Sequence, residues 1–270
     1  MIHQEDPAHP VTTTITNFQK KRMLYLKLHV PQLDIIGINT FGRLAELAEE
    51  AEWYRWLFDE PYFLAEWAIQ GPWESPESSW YTPIEPSSSE KAGLYRKYYE
   101  DYIPHKDPNF LGSCVFYWGQ KQEHTHTWFG LFSEEGERSQ MLESLQISWT
   151  GRFPQNYVPR ADSLLIDGLS AKDTLLFSPH QKATAQLFLH DPEGDSLLTE
   201  WEILPDVWHF DYRAINTKPK PINGLLKNRG LREVRFAAPA EPGVYRLSAK
   251  VTDPKRNMYA TANAAFLVVE

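Results

Sequence analysis

One change of pattern constrains this chain more than any other feature. Helix-forming stretches alternate with short apolar strands up to about residue 150, and from about residue 161 only strand patterns continue. Val11 to Thr16 is β-branched throughout, which favours extended backbone. Phe18 to His29 has helical composition and ends before Pro31. Asp34 to Asn39 is a second short apolar run, followed by Leu44 to Ala51 with apolar residues at three- and four-residue spacing. Pro61 to Trp67 predicts a third strand, and a loop rich in Pro, Ser and Trp follows it to about Ser88. A helix over Glu90 to Tyr102, a strand over Gly112 to Trp118 and a helix over Arg138 to Trp149 complete the series. Such alternation predicts an α/β unit, a parallel sheet covered by helices. In sheets of that kind binding groups gather at the carboxyl ends of the strands.

The later part predicts an all-β unit. Leu164 to Ile166, Ala185 to Leu189, Leu198 to Ile203, Glu233 to Phe236, Tyr245 to Val251 and Ala264 to Val269 are short and mostly alternating. Turn signals such as Asp191-Pro192-Glu193-Gly194-Asp195 and Glu241-Pro242-Gly243 separate them, the pattern of an antiparallel β-sandwich. Composition shifts at the same place. Residues 1–160 carry 14 Lys+Arg against 22 Asp+Glu, a balance of −8, whereas 161–270 carry 13 against 14. Eight of the ten tryptophans precede residue 161, and only Trp201 and Trp208 follow. Two domains are therefore expected, 1–158 and 159–270, with the chemistry in the acidic, Trp-rich first.

Several function classes fall away. The single cysteine, Cys114, excludes an internal disulfide framework and a CxxC zinc ribbon, and its place in a strand predicts burial. No apolar run approaches the ~18 residues of a membrane span. A net charge of −9 without a basic cluster argues against nucleic acid as partner. There is no phosphate-cradling glycine loop and no GxSxG elbow, and no cofactor is expected. The amino end lacks the charged start and apolar stretch of a signal peptide, and reads as the middle of an element, as a fragment would.

Glu66 is the sharpest candidate. A carboxylate ending an apolar strand beside Trp67 suits glycoside hydrolysis, where one carboxylate attacks or stabilises the oxocarbenium ion and a second protonates the leaving oxygen. The plainer reading is a buried Glu paired with a cation or an amide. Trp67, Trp73, Trp80, Trp118 and Trp128 fall at or just after expected strand ends, where indoles either offer flat faces to sugar rings or fill the core. Gly119 to Trp128 is a dense polar loop. Its His124 and His126 have the chemistry of metal ligands but no third ligand at a diagnostic spacing, so a sugar-hydroxyl site including Glu123, or a solvated loop, is expected and no metal. Asp191, Glu193 and Asp195 carry oxygen ligands of the kind calcium takes, and the plainer reading is a connecting turn.

Three segments together resemble the last strands of the (β/α)₈-barrel catalytic domain of glycoside hydrolase family 2 and its bacterial relatives. They are Asp34-Ile-Ile-Gly-Ile-Asn39-Thr-Phe-Gly42, Pro61-Tyr-Phe-Leu-Ala-Glu66-Trp67 and Gly112-Ser-Cys-Val-Phe-Tyr-Trp118-Gly119. The resemblance covers about residues 1–153. It implies the carboxyl-terminal half of a TIM barrel, about four βα units, followed by an immunoglobulin-like sandwich. It also implies Glu66 as the nucleophile of a retaining glycosidase, with Asn39 and Trp118 lining the sugar subsite and Trp67 beside them. Trp73, Trp128 and Glu123 join them as substrate-binding candidates. The family's acid/base Glu follows an Asn on an earlier strand, and no such Asn-Glu pair stands here. The resemblance therefore implies an oligo- or polysaccharide substrate, an isolated chain without its acid, and a missing amino-terminal half or a homodimer partner. Its relatives' export implies an extracellular or periplasmic location. The alternative is a non-catalytic carbohydrate-binding or interaction module with an aromatic cleft.

Overall fold

The computed structural model describes residues 2–54, 59–206 and 217–270; Trp208 lies outside them. In chain order the elements run α1 (Ile2–Glu5), β1 (Thr12–Thr16), α2 (Lys20–His29), β2 (Ile35–Thr40), α3 (Leu44–Tyr54), β3 (Tyr62–Trp67) and α4 (Ser88–Lys97). A π-helical turn (Tyr98–Tyr102), β4 (Phe110–Val115), β5 (Arg138–Ser139) and α5 (Gln140–Thr150) follow. The remaining strands are β6 (Arg160–Ile166), β7 (Leu176–Phe177), β8 (Lys182–His190), β9 (Leu198–Pro205), β10 (Leu226–Lys227), β11 (Glu233–Ala237), β12 (Gly243–Asp253) and β13 (Met258–Val268). The chain forms two compact units, Met1–Gly71 with Lys97–Phe116, and Pro72–Arg96 with Tyr117–Glu270. The mixture is the expected one, α/β followed by β.

In the first unit β1-β2-β3-β4 form one sheet in sequence order, every pair parallel. Ile36, Ile38 and Leu64 of the sheet are buried, as are Met23 of α2 and Leu44 and Leu47 of α3. Gly37 lies on the other face, where a Cβ would stand 2.6 Å from Thr14 Oγ1 and 3.4 Å from Ala65 Cβ. Thr12, Thr14 and Thr16 of β1 are exposed. One irregularity matters for the site. Ile38 pairs with Leu64 but Asn39 pairs with Glu66, so β3 carries one extra residue, Ala65, as a bulge does.

Three expectations are corrected here. The helix expected over Glu90 to Tyr102 leaves α geometry after Lys97 and passes into the π turn. The fourth strand runs Phe110–Val115 rather than to Trp118, which lies beyond it. Cys114, expected in the core, is exposed, because β4 is an edge strand of its sheet and none of its six residues is buried.

The second unit contains a sandwich. One sheet orders β10-β11-β8-β6 and the other β5-β13-β12-β9, with β7 also on β13. Leu164, Leu187, Val234 and Phe236 from the first meet Trp201, Ile203, Leu247, Val251 and Phe266 from the second in one core. The polar alternates of β12 and β13 are not left to solvent. Arg246, Ser248, Thr261 and Asn263 are all buried, covered by residues 72–96 and 117–140. Ser88 Oγ accepts the Thr261 N–H at 2.7 Å, and Tyr259 donates to the Gly130 carbonyl at 2.5 Å. Local signals fix the covering helices. Ser87 and Glu90 exchange side chain-to-backbone bonds of 2.9 and 3.2 Å in a capping box before α4. Ser139 caps α5 through the Leu142 N–H, and Gly151 ends it in the left-handed conformation at φ 65°.

Candidate functional site

In the first unit the candidate residues sit at the carboxyl ends of β2 and β3. The register shift sets Glu66 level with Asn39, and Trp67 lies between Thr40 of β2 and Val115 of β4. Glu66 is half-buried, and among the described residues its carboxylate meets no cation and no hydrogen-bond donor. Asn39 is also half-buried; its backbone carbonyl accepts the Asn17 N–H at 2.9 Å. Its side-chain Oδ1 is shielded from solvent and has no hydrogen-bond partner among the described residues. A shielded acceptor left so costs about 1–3 kcal/mol, which a ligand hydroxyl would relieve. Trp67 is wholly buried, its ring 6.1 Å from that of Tyr99. It supports the strand end from below and presents no face to a ligand.

The other candidates belong to the second unit. Trp128 is wholly buried, with His124 edge-on to it at 5.9 Å. Trp73 and Trp118 are 50% and 60% exposed. Trp118 stacks on Trp149 at 6.2 Å with planes 19° apart, and meets Phe132 edge-on at 5.5 Å. Glu123 pairs with Lys121 at 2.6 Å, in a loop pinched by reciprocal backbone bonds between Glu123 and Thr125. His124 follows at φ 63°, a left-handed position unusual for a side chain of its size.

Two features of this unit escaped the sequence reading. Trp149 carried no signal beyond an indole near the end of an amphipathic helix. The second is a buried polar network. Arg246 donates to Asp206 Oδ2 through Nε at 3.0 Å and Nη2 at 2.7 Å, to Asn263 Oδ1 at 2.6 Å and to the Pro83 carbonyl at 3.0 Å. Lys91 and Glu85 form an ion pair with no exposed side-chain surface on either residue. Burial lowers the Lys91 pKa against the pull of Glu85. For Glu85 burial acts upward, but the charges of Lys91 and Arg246 outweigh it and hold the carboxyl down at about 2. Among the described residues no cluster of His, Cys, Asp and Glu has the geometry to hold a metal ion, and no helix is long and apolar enough to cross a membrane. In the turn at 191–195, Asp191 Oδ1 accepts the Asp195 N–H at 2.7 Å and Asn156 donates to Asp195 at 2.8 Å.

No protein-family model matches the sequence, and no curated protein matches it significantly. Solved structures overlap it loosely. A Bacteroides fragilis protein described provisionally as a beta-galactosidase aligns with 98% of this chain at 10% identity and a TM-score of 0.39. The Parabacteroides merdae beta-glucuronidase aligns with 99% at 8% identity and 0.36, and Bacteroides uniformis beta-glucuronidase 3 with 99% at 12% identity and 0.36. The chain spans 36%, 33% and 32% of those three chains, about a third of their length. Overlaps at this level do not establish a shared fold or activity.

Proposed function

We propose that this is a carbohydrate-active chain of the retaining glycoside hydrolase kind, with Glu66 as the nucleophile. What supports the reading above all is Glu66 itself, a half-buried carboxylate without a partner among the described residues, level with Asn39, whose Oδ1 is likewise unpartnered among them, at the end of a parallel sheet. On this reading Glu66 attacks the anomeric carbon as the glycosidic oxygen leaves, and water then releases the sugar from the ester. Asn39 takes a hydroxyl of the bound ring through Oδ1. In the second unit, taken by itself, the exposed indoles of Trp73 and Trp118 and the carboxylate of Glu123 are sugar-binding groups in their own right. Trp67 and Trp128 act from the core.

The same reading makes residues 1–158 half of a (β/α)₈ barrel and 159–270 an immunoglobulin-like domain. Such mechanisms need a second carboxyl about 5 Å from the first. That acid comes from outside these residues, from the amino-terminal half of a barrel or a second copy, which would also complete the edge strands β1 and β4.

The test is hydrolysis of a panel of dinitrophenyl glycosides, whose leaving group needs no acid, by the wild type and by Glu66→Gln. A loss of at least about a hundredfold is expected, with the melting temperature preserved. Turnover untouched by the substitution would remove Glu66 from the role. A second reading, a non-catalytic sugar-binding module, is favoured by the exposed Trp118–Trp149 stack. Under that reading Trp118→Ala weakens oligosaccharide binding while no variant hydrolyses.

A further inference from the structure

The carboxyl end of the first unit's sheet carries more than the pair Asn39 and Glu66. In a parallel sheet, residues level with one another on neighbouring strands project from the same face. Ile15, Ile38 and Leu64 are level across β1, β2 and β3, and this row belongs to the core face, where Ile38 and Leu64 are wholly buried. The next row is Thr16, Asn39 and Glu66, on the opposite face. A Cβ added to Gly37 would meet Thr14 Oγ1 and Ala65 Cβ, which puts Thr14 on that face, and Thr16, two residues on, shares it.

The row is pinned at its β1 end. Asn17 turns left-handed at φ 54° directly after Thr16, and its N–H donates to the Asn39 carbonyl at 2.9 Å. A slip of β1 by one residue would lose that bond and turn Thr16 towards the core. Thr16 is exposed, as are Thr12 and Thr14 before it, so this end of the face is open. Among the described residues the Thr16 hydroxyl has no hydrogen-bond partner. The branched Cβ restricts where that hydroxyl can point, and it offers both a donor and an acceptor.

Spacing decides what Thr16 can reach. Neighbouring strands lie about 4.8 Å apart, so Asn39 stands one step from Glu66 and Thr16 two steps, roughly 10 Å. One step suits a hydroxyl on the ring whose anomeric carbon Glu66 attacks. Two steps overshoot that ring. A sugar unit in an extended chain advances by about one strand spacing, so the position at Thr16 falls to the adjoining unit.

We propose that Thr16 binds a second sugar unit, next to the one held at Glu66 and Asn39, and that the substrate is an oligosaccharide lying across the strand ends. The proposal rests on the reading of Glu66 as nucleophile. Thr16 touches no reacting atom in it and acts on affinity and chain-length preference alone.

The experiment follows the labelling of Glu66 on the full chain by a dinitrophenyl glycoside with fluorine beside the anomeric carbon, slowed by added sugars. The competitors are glucose against cellobiose, laminaribiose and maltose, and mannose against mannobiose. Their glycosidic bonds need the acid that this chain lacks, so they bind without being cleaved. In the wild type at least one disaccharide should protect Glu66 at a concentration about threefold to tenfold below that of its monosaccharide. Thr16→Val keeps the shape and suits a strand but removes the hydroxyl, and should abolish that advantage. Thr16→Ser, which restores a hydroxyl, should recover it. The proposal is overturned if no disaccharide outdoes its monosaccharide in the wild type, or if the advantage survives Thr16→Val. Either result is obtained with Glu66 labelled and leaves the nucleophile in place. If no reagent labels Glu66, the nucleophile reading falls and this proposal falls with it.

Discussion

Lys91 and Glu85 form an ion pair with no exposed side-chain surface, and neither residue is left with an idle polar atom in it. Lys91 also donates to the Thr127 carbonyl at 2.7 Å, and Glu85 accepts from Thr127 Oγ1 at 2.8 Å and from Asn263 Nδ2 at 2.7 Å. A buried pair repays its desolvation only when the remaining donors and acceptors are satisfied in this way. The pair ties the loop before α4 and the loop at Thr127 to β13.

Removing one partner should therefore be severe. Lys91→Met leaves the buried Glu85 charge without its ion-pair partner and should cost about 3–5 kcal/mol, read by urea unfolding. The double variant Lys91→Met with Glu85→Leu should recover part of that loss. A single variant as stable as the wild type would contradict the pairing.

Gly130 is a second sensitive point for a steric reason. A Cβ there would stand 2.6 Å from the Tyr259 hydroxyl, the group that donates to the Gly130 carbonyl. Tyr259 is buried, and burial raises its phenol pKa, so the hydroxyl stays a donor. Gly130→Ala should lower stability by about 1–3 kcal/mol, whereas Gly136→Ala, with open space at its Cβ but φ 82°, should lose stability through backbone strain alone. Thermal melts of the two compare the mechanisms.

Acid should weaken the fold in two separable windows. His126 titrates near 4 in the folded chain against 6.5 for the free side chain. The unfolded state therefore binds the proton first, and stability falls as pH drops from about 6.5 to about 4. Glu85 has the opposite charge type, with a folded value near 2 against 4.5. Its contribution is present above about 4.5 and is lost as pH falls towards 2. His126→Gln should flatten the upper window of the unfolding free energy against pH and leave the lower one. An unchanged upper slope would show that the ring is not held neutral.

The alternation of periods was legible because it is a property of consecutive residues. β-Branched Val11–Thr16 and the spaced apolar residues of Leu44–Ala51 announce their geometry locally. What escaped depends on contacts distant in sequence. Arg246, Ser248, Thr261 and Asn263 alternate with apolar neighbours and read as a wet face, yet segments a hundred or more residues earlier cover them. Two-residue strands such as β5, β7 and β10 are too short to show a period. Tryptophan at a strand end is ambiguous for the same reason. Trp67 and Trp128 went to the core while Trp73 and Trp118 face solvent, a difference set by what packs against them. The bulge at Ala65, which levels Glu66 with Asn39, has no mark in the sequence either.

The central claim is that Glu66 is a nucleophile, and it can be tested without the missing acid. Dinitrophenolate leaves its glycosides without being protonated, and fluorine in place of the hydroxyl beside the anomeric carbon slows release of the ester. Incubating the chain with gluco-, galacto- and manno-configured reagents of this kind, followed by peptide mass spectrometry, should find one fluoroglycosyl group on the Pro61–Trp67 segment, at Glu66. The adduct should be absent from Glu66→Gln. An adduct on another residue, or none with any reagent on the folded chain, would contradict the account.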